Sequence, residues 1–392
     1  MAVSTNDNGR LSSGVLLTGA TGFLGRQLLA LFITKLPPDT PIFCLIRGSK
    51  NDPDGPQTAQ GRLGALLGQM GFGRLDSPEV ARVQAVDGDL CEEELGLSTT
   101  DHATLVSQVG YIFHGAASVR FDLPLATARQ INVEGTRRVL ELAQQMVGPT
   151  KRPRFAYIGT AFVAGTQAGL VLEDDLRPDL PFHNTYEQTK AEAEQLVRQA
   201  FSNPGLAVTL FRPSIIVGDS RTGATSSFKV MYWPLKVFSR GLFPIVPASR
   251  DGIVDLVPVD FVAAAIFVLA LRDDTDRKCF HLAAGPQGNM TIGEALQLAA
   301  AFFRVRKPWF VKTEIFEQCI RPVFRLLFFG KRRKALDAGR VYVPYLNYRA
   351  VFDTTNLQAA LAETGLVAPD VRTYFHRLLR YCVDSDWGNR SV

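Results

Sequence analysis

Gly14-Val15-Leu16-Leu17-Thr18-Gly19-Ala20-Thr21-Gly22-Phe23-Leu24-Gly25 decides how this chain is read. A short apolar run ends in three glycines spaced three apart, and an apolar segment of helical pattern, Arg26–Lys35, follows. That order predicts a strand, a tight turn and a helix. Gly19 permits the sharp turn, Gly22 lets backbone approach a pyrophosphate, and Gly25 lets the helix pack tightly on the strand. Thr21, Phe23 and Leu24 complete the same turn. Phosphates would sit there on free N–H groups at a helix N-terminus, where the helix dipole favours negative charge.

Working outward, β-like runs alternate with helical patterns as far as Pro213. The predicted strands are Val15–Thr18, Ile42–Ile46, Val83–Asp87, Tyr111–His114, Phe155–Gly159 and Ala207–Arg212. Arg26–Lys35, Ala126–Met146 and Thr185–Ala200 carry helical periodicity between them. This alternation predicts an α/β fold, a Rossmann-type doubly wound parallel sheet. Residues 1–13 read as a disordered tail and Gly48–Gln60 as a Gly/Pro/Asp-rich surface loop. Residues 14–220 form the expected dinucleotide-binding domain, with 251–285 returning to it. Residues 221–250 and 286–392 form a smaller, mainly helical cap suited to substrate binding.

Composition narrows the function class. The 392 residues are 46% hydrophobic, enough for a sizeable core, and only 21% are charged, so disorder is not the default. A net charge of +5 suits anionic small ligands or an acidic partner and is too small to argue for nucleic acid. Cys44, Cys91, Cys279, Cys319 and Cys382 are far apart and contain no CxxC pair, so neither a metal site nor a disulfide framework is expected. Reduced thiols fit a cytoplasmic protein. The N-terminal residues have no apolar signal-peptide core, and the longest apolar run, Phe261–Leu271, is too short to span a bilayer.

The second strand ends in Ile46-Arg47-Gly48, about twenty residues past the last glycine, where an acidic side chain would hold the 2′-hydroxyl of NAD. A guanidinium stands there instead, suited to a 2′-phosphate, so NADPH is the expected cofactor. Asp89, in Asp87-Gly88-Asp89-Leu90, is placed either to accept from an adenine amino group or simply to close a turn. Tyr186 and Lys190 lie one helical turn apart on one face. An ammonium there lowers the pKa of the phenol, which then protonates a carbonyl oxygen as hydride arrives at carbon. Thr160 closes the strand Phe155–Gly159, where its hydroxyl polarises the same oxygen. Alone, the Tyr/Lys pair is a weak signal. Glycine turn, strand-end hydroxyl and helical Tyr/Lys in that order make a catalytic reading.

With these residues in place, the chain resembles the extended short-chain dehydrogenase/reductases. Within them it is similar to the thioester reductase and fatty acyl-CoA reductase branch, which includes reductase domains of carboxylic acid reductases and nonribosomal peptide synthetases. Thr18–Gly25, Phe113-His114-Gly115-Ala116-Ala117-Ser118-Val119 and Asn132-Val133-Glu134-Gly135-Thr136 carry the likeness. So do Tyr157-Ile158-Gly159-Thr160, Tyr186 to Lys190, Phe211–Ser220 and Val257-Pro258-Val259-Asp260. The likeness implies that Ala116 and Ala117 let backbone pass under the cofactor beside Leu90. It implies that Pro213, Ser214 and Ile216 face the nicotinamide carboxamide with N–H groups and an apolar surface, that Asn132 braces the sheet end, and that His114 packs rather than catalyses. The implied reaction is NADPH-dependent reduction of an acyl thioester to an aldehyde, with alcohol as the product of a second hydride. No carrier-protein segment is present, so the thioester is expected from coenzyme A or a separate acyl carrier protein.

Three further expectations concern substrate and surface. The aromatic stretch from Phe228 to Phe243, with Met231, Tyr232, Trp233 and Phe238, is either an acyl channel or ordinary core. Residues 320–334 join bulky apolar residues to the cations Lys331-Arg332-Arg333-Lys334. They suit a membrane interface, the phosphates of an acyl donor, or a solvated helix end. The rival activities are a sterol dehydrogenase, a nucleotide-sugar epimerase or dehydratase, and a dinucleotide-sensing protein without catalysis.

Overall fold

The computed structural model describes residues 13–48, 57–72, 78–228, 230–241, 244–327, 329–330, 333, 336–337 and 339–390. Seven strands build its central sheet: β1 (Gly14–Thr18), β2 (Ile42–Ile46), β3 (Val83–Asp87), β4 (Val109–His114), β5 (Arg154–Ile158), β6 (Ala207–Pro213) and β7 (Lys278–Leu282). They lie in the order β7-β6-β5-β4-β1-β2-β3 and every pairing is parallel. β1, β2, β4, β5 and β6 are buried at every residue. A parallel sheet covered on both faces demands this, which is why these strands read as unbroken apolar runs.

Six helices matter for the site: α1 (Phe23–Lys35), α2 (Gly135–Gln145), α3 (Thr185–Gln199), α4 (Val259–Ala270), α5 (Ile292–Phe303) and α6 (Val371–Asp384). α1 and α4 cover one face of the sheet, burying Leu28, Leu29 and Phe32 against Val262, Ala265 and Ile266. α2 and α3 cover the other with Val139, Leu140, Ala193 and Val197. Strand order reverses between β1 and β4, so the crevice of the sheet opens at Gly19 on one side and His114–Gly115 on the other.

After Pro213 the chain leaves the sheet. Ile215–Val217 pairs in parallel with Leu256–Pro258, and α4 and β7 then return to the sheet. Between and beyond these segments the helix Tyr232–Ser239, α5 and α6 build a separate apolar cluster. Its buried members include Tyr232, Leu235, Phe238, Ala299, Tyr374 and Leu378. The helix expected over Ala126–Met146 is interrupted. Leu125–Arg129 and α2 are α-helical, and Gln130–Glu134 between them is one π turn that carries Asn132 inward. Residues 1–12 and 49–56 of the expected tail and loop lie outside the described residues, and the last part of that loop opens a helix, Ala59–Gln69, which Thr58 caps.

Candidate active site

The glycine turn shows why glycine is required at two of its positions. Gly19 has φ +81°, and a Cβ on it would lie 2.8 Å from Ala116 N. A Cβ on Gly25 would lie 2.0 Å from Gly19 O, so α1 could not seat on the turn. Gly22 differs: it is exposed, and a Cβ would touch only Gly19 O at 3.1 Å. No side chain caps the helix at Gly22, and Arg26 N–H is bonded to Gly22 O at 3.0 Å. The N-terminal face of α1 at Phe23 and Leu24, beside the exposed Thr21, is thus open to an anion, and a dinucleotide pyrophosphate fits it.

At the end of β2, Arg47 donates to Asp89 at 3.2 Å and its side chain is largely exposed. Burial pushes the Asp89 carboxyl up, but the Cys91 N–H, at 3.0 Å, and Arg47 outweigh it and hold the group below the usual carboxylate range. Asp89 therefore serves its turn and Arg47 together. Leu90 is buried, packs against Gly135 and gives its carbonyl to Arg138 at 3.0 Å.

His114 is buried, with Thr18 Oγ1 at 2.8 Å from Nδ1 and Thr136 Oγ1 at 3.0 Å from Nε2. Burial first, then nearby Lys190, pull its pKa down to about 3, so the ring is neutral and ties β1, β4 and α2 together. Thr18 Oγ1 also accepts from Ala116 N at 3.1 Å, and Ala116 and Ala117 are half-buried beside the glycine turn. Asn132 accepts from Ser118 N at 2.8 Å. Its amide donates to Ser118 O at 3.1 Å and to Thr189 Oγ1 at 3.0 Å. It thereby fastens the loop after β4 to the helix that carries Tyr186 and Lys190.

α3 begins at an Asn184 cap, which accepts from Glu187 N at 3.0 Å, and presents Tyr186 and Lys190 on one face. Burial pushes the Tyr186 phenol up to about 12, while a hydrogen bond with the Thr160 hydroxyl pulls the other way. Thr160 follows β5, is buried, and reaches Pro213 O at 3.4 Å. Lys190 turns inward. Its Nζ donates to Ile158 O at 3.1 Å and lies 4.4 Å from the centre of the Tyr157 ring. Burial lowers its pKa to about 7 against the pull of Glu194 one turn on. The ammonium expected to acidify the phenol therefore rests on a carbonyl, and the phenol is a weaker acid than the Tyr/Lys spacing predicts.

Pro213 and Ser214 end β6. Ser214 Oγ donates to Asp255 Oδ1 at 2.5 Å, Ser214 N to Leu282 O at 3.1 Å, and Ile215 N to Asp255 O at 3.3 Å. Asp255 also takes the N–H groups of Ala284, at 2.8 Å, and Gly285, at 3.1 Å. The N–H groups at Ser214 and Ile215, where a carboxamide was expected, are thus already bonded within the chain. Ile215 and Ile216 remain partly exposed as an apolar surface.

Beside this centre lies an apolar cleft of about 210 Å³, partly open to solvent. Met231, Trp233 and Phe238 line it, as does Ile215, while Tyr232 is buried in the core and its hydroxyl accepts from Gly218 N at 2.8 Å. Phe243 lies outside the described residues. Aromatic rings connect cleft and phenol. Phe121 sits 5.8 Å from Tyr186 and 6.4 Å from Tyr342, and Tyr342 stacks on Trp233 at 5.5 Å. Sequence reasoning missed Phe121, Tyr342 and Tyr345. The available signal was Tyr342, Tyr345 and Tyr348 at a spacing of three, the first two of which lie in one-turn helices, Gly339–Tyr342 and Pro344–Asn347, and line the cleft.

Residues 17–266 match the NAD-binding family described as male sterility protein. The chain belongs to that family. It is an extended short-chain dehydrogenase/reductase of the branch that holds fatty acyl-CoA reductases and synthetase reductase domains. Among its relatives, fatty acyl-CoA reductase 1 of Xenopus laevis is 29% identical over 294 residues, 67% of this chain and 55% of that one. The nonribosomal peptide synthetase asaC of Aspergillus flavus is 32% identical over 281 residues, 68% of this chain and 26% of that one. The chain thus spans about half the length of the fatty acyl-CoA reductases it matches. Of solved structures, the terminal R domain from the myxalamid PKS-NRPS biosynthetic pathway is 28% identical, with a TM-score of 0.79. The match covers 96% of this chain and 91% of that one. The reductase domain of a nonribosomal peptide synthetase from Mycobacterium tuberculosis shares the fold at 23% identity and TM-score 0.69, over 97% and 93% of the two chains.

Proposed function

We propose that this protein reduces an acyl thioester with NADPH, with Tyr186, Thr160 and Lys190 as its catalytic set. The observation that carries this is the join between a tyrosine–threonine pair and a large apolar cleft through Phe121, Tyr342 and Trp233. A sugar nucleotide would need charged groups in that cleft. Its lining is aliphatic and aromatic apart from Glu317, Arg321 and Arg340, and Arg321 is paired with Glu317 at 2.6 Å.

The Gly19–Gly25 turn would hold the dinucleotide, whose nicotinamide would supply the hydride. The acyl chain fills the cleft and brings the thioester carbonyl to Tyr186 and Thr160. As hydride adds to carbon, negative charge grows on the oxygen. Thr160 donates to it, and Tyr186 gives it a proton, leaving phenolate. A phenol near 12 holds its proton at neutral pH until an alkoxide of similar basicity appears, which is when transfer is useful. The neutral hemithioacetal then loses its hydroxyl proton as the C–S bond breaks, the leaving sulfur takes up a proton, and solvent restores the phenol. The balance is one hydride and one proton taken up, aldehyde and free thiol released. Lys190, on the same helix face as Tyr186, would hold the nicotinamide ribose.

The test is NADPH oxidation with a panel of acyl-CoA and acyl-pantetheine thioesters, with products identified by mass spectrometry. Aldehyde or alcohol formed in step with NADPH consumed supports the reading. No consumption with any thioester overturns it in favour of a dehydrogenase acting on a sterol or nucleotide sugar. Arg47→Ala should weaken NADPH binding about tenfold or more, the scale of one charge-assisted hydrogen bond, while NADH binding stays the same. Equal losses for both cofactors in fluorescence titration would remove Arg47 from the 2′-phosphate site.

Among the described residues no helix is long and apolar enough to cross a membrane. The segment predicted for surface contact forms helix Arg321–Leu327, with Val323, Leu326 and Phe329 exposed. Arg321 at its start, and Phe316 in the turn before it, line the cleft. Phe328, Lys331, Arg332 and Lys334 lie outside the described residues. An exposed apolar row beside a basic run in the sequence suits an anionic lipid surface. Replacing Lys331, Arg332, Arg333 and Lys334 by alanine should abolish flotation with phosphatidylserine liposomes. Unchanged flotation, or none in the parent protein, rejects membrane contact.

A further inference from the structure

Tyr345 stands at the boundary between cleft and catalytic helix, and nothing in the reaction above uses it. Its ring lines the cleft and stacks on Phe121, centroids 5.3 Å apart at 24°, and Phe121 is the ring beside Tyr186. Its hydroxyl donates to Glu187 Oε1 at 2.5 Å and accepts from Asn184 Nδ2 at 2.7 Å. Glu187 is fully buried, next to Tyr186 in the chain, and also takes His183 N at 2.9 Å and His183 Nδ1 at 3.0 Å. Asn184 is the cap of α3. One side chain from a segment some 160 positions away thus touches the acyl cleft with its ring and the first turn of the catalytic helix with its hydroxyl.

A buried carboxylate beside a catalytic tyrosine needs several donors to stay in place. His183, at the start of its own helix, serves one carboxylate oxygen of Glu187, and the wall of the cleft serves the other through Tyr345. The Tyr345 ring in the cleft wall stacks on Phe121 and its hydroxyl holds Glu187, so a chain filling the cleft would bear on both neighbours of Tyr186. We propose that Tyr345 is a positioning residue that couples acyl-chain occupancy of the cleft to the placement of Tyr186, so that a long chain is reduced faster, and not merely bound more tightly, than a short one. This rests on the thioester reading for its kinetic expression, but the coupling itself is a property of the chain.

Tyr345→Phe keeps the ring in the cleft and removes only the hydroxyl. With dodecanoyl-CoA its kcat should fall about 10-fold to 100-fold, the cost of misplacing a reacting group, with little change in KM. With butyryl-CoA, too short to press on the Tyr345 ring, kcat should fall by a clearly smaller factor, so that the preference for the long chain narrows. A purely structural loss would lower both alike and lower Tm. A second measurement does not depend on turnover: the NMR signal of tyrosine labelled at Cζ, assigned to Tyr186 by its absence in Tyr186→Phe, with and without the dodecyl thioether of pantetheine. The signal should shift on adding the thioether to the parent protein and stay still in Tyr345→Phe. Equal shifts in both proteins, or no shift in either, would overturn the coupling. Absence of NADPH consumption by the parent protein would instead overturn thioester reduction and leave the NMR result to decide the coupling.

Discussion

Tyr186→Phe should lower thioester reduction by about 10²–10⁴-fold, the usual worth of a positioned proton donor, while NADPH binds as before. The reason is local. The phenol carries its proton at neutral pH and is hydrogen-bonded to the hydroxyl of Thr160. His114 is neutral and has both ring nitrogens engaged by Thr18 and Thr136, so it has no free position from which to replace the phenol. Single-turnover rates of NADPH oxidation, measured beside a fluorescence titration of the cofactor, separate chemistry from binding. A variant that turns over normally refutes the mechanism. One that no longer binds NADPH assigns Tyr186 to the cofactor instead.

The second large effect concerns stability. Glu194 is fully buried on α3, one turn beyond Lys190, and pairs with buried Arg212 of β6 through bonds of 2.9 and 2.6 Å. Burial pushes its carboxyl up, yet Arg212 and Arg198 outweigh that and hold it below its ordinary 4.5. Arg212 also donates to Glu173 O at 3.1 Å and Asp175 O at 2.7 Å. Glu194→Gln leaves a buried guanidinium without its counter-charge, which costs about 3–5 kcal/mol. Urea unfolding followed by circular dichroism should show that loss at pH 7. The sign with pH follows from the lowered folded value. The contribution of Glu194 is complete above about 4.5 and fades as pH falls below it, so parent and variant should converge in acid. A difference that persists unchanged at pH 3 would place the stabilisation elsewhere.

Much of this architecture was legible in the sequence because parallel strands covered on both faces must be apolar at every position, and Val15–Thr18 or Ile42–Ile46 allow no other reading. The glycine turn was legible because steric exclusion at Gly19 and Gly25 admits one residue type. The helix Ala59–Gln69 escaped notice behind a loop-like composition, and the π turn at Gln130–Glu134 leaves no mark on hydrophobic periodicity. The direction in which Lys190 points was not legible either, since its spacing from Tyr186 fixes a shared face and not a partner. The cleft was legible in part, at Met231, Trp233 and Phe238, while its link to the phenol was not. Phe121, Trp233 and Tyr342 come from three distant segments, and only folding brings their rings together.

The seventh strand has a consequence for synthesis. β7 pairs with the outer side of β6 and is translated only after α4. A ribosome that has released residues up to Pro213 therefore exposes an apolar edge strand with unpaired N–H and C=O groups, the condition that favours pairing with another nascent chain. Truncations ending before Lys278 should accumulate in inclusion bodies, and those ending beyond Leu282 should show the first gain in recovery. Chaperone demand during translation should then follow the wait for this one short segment.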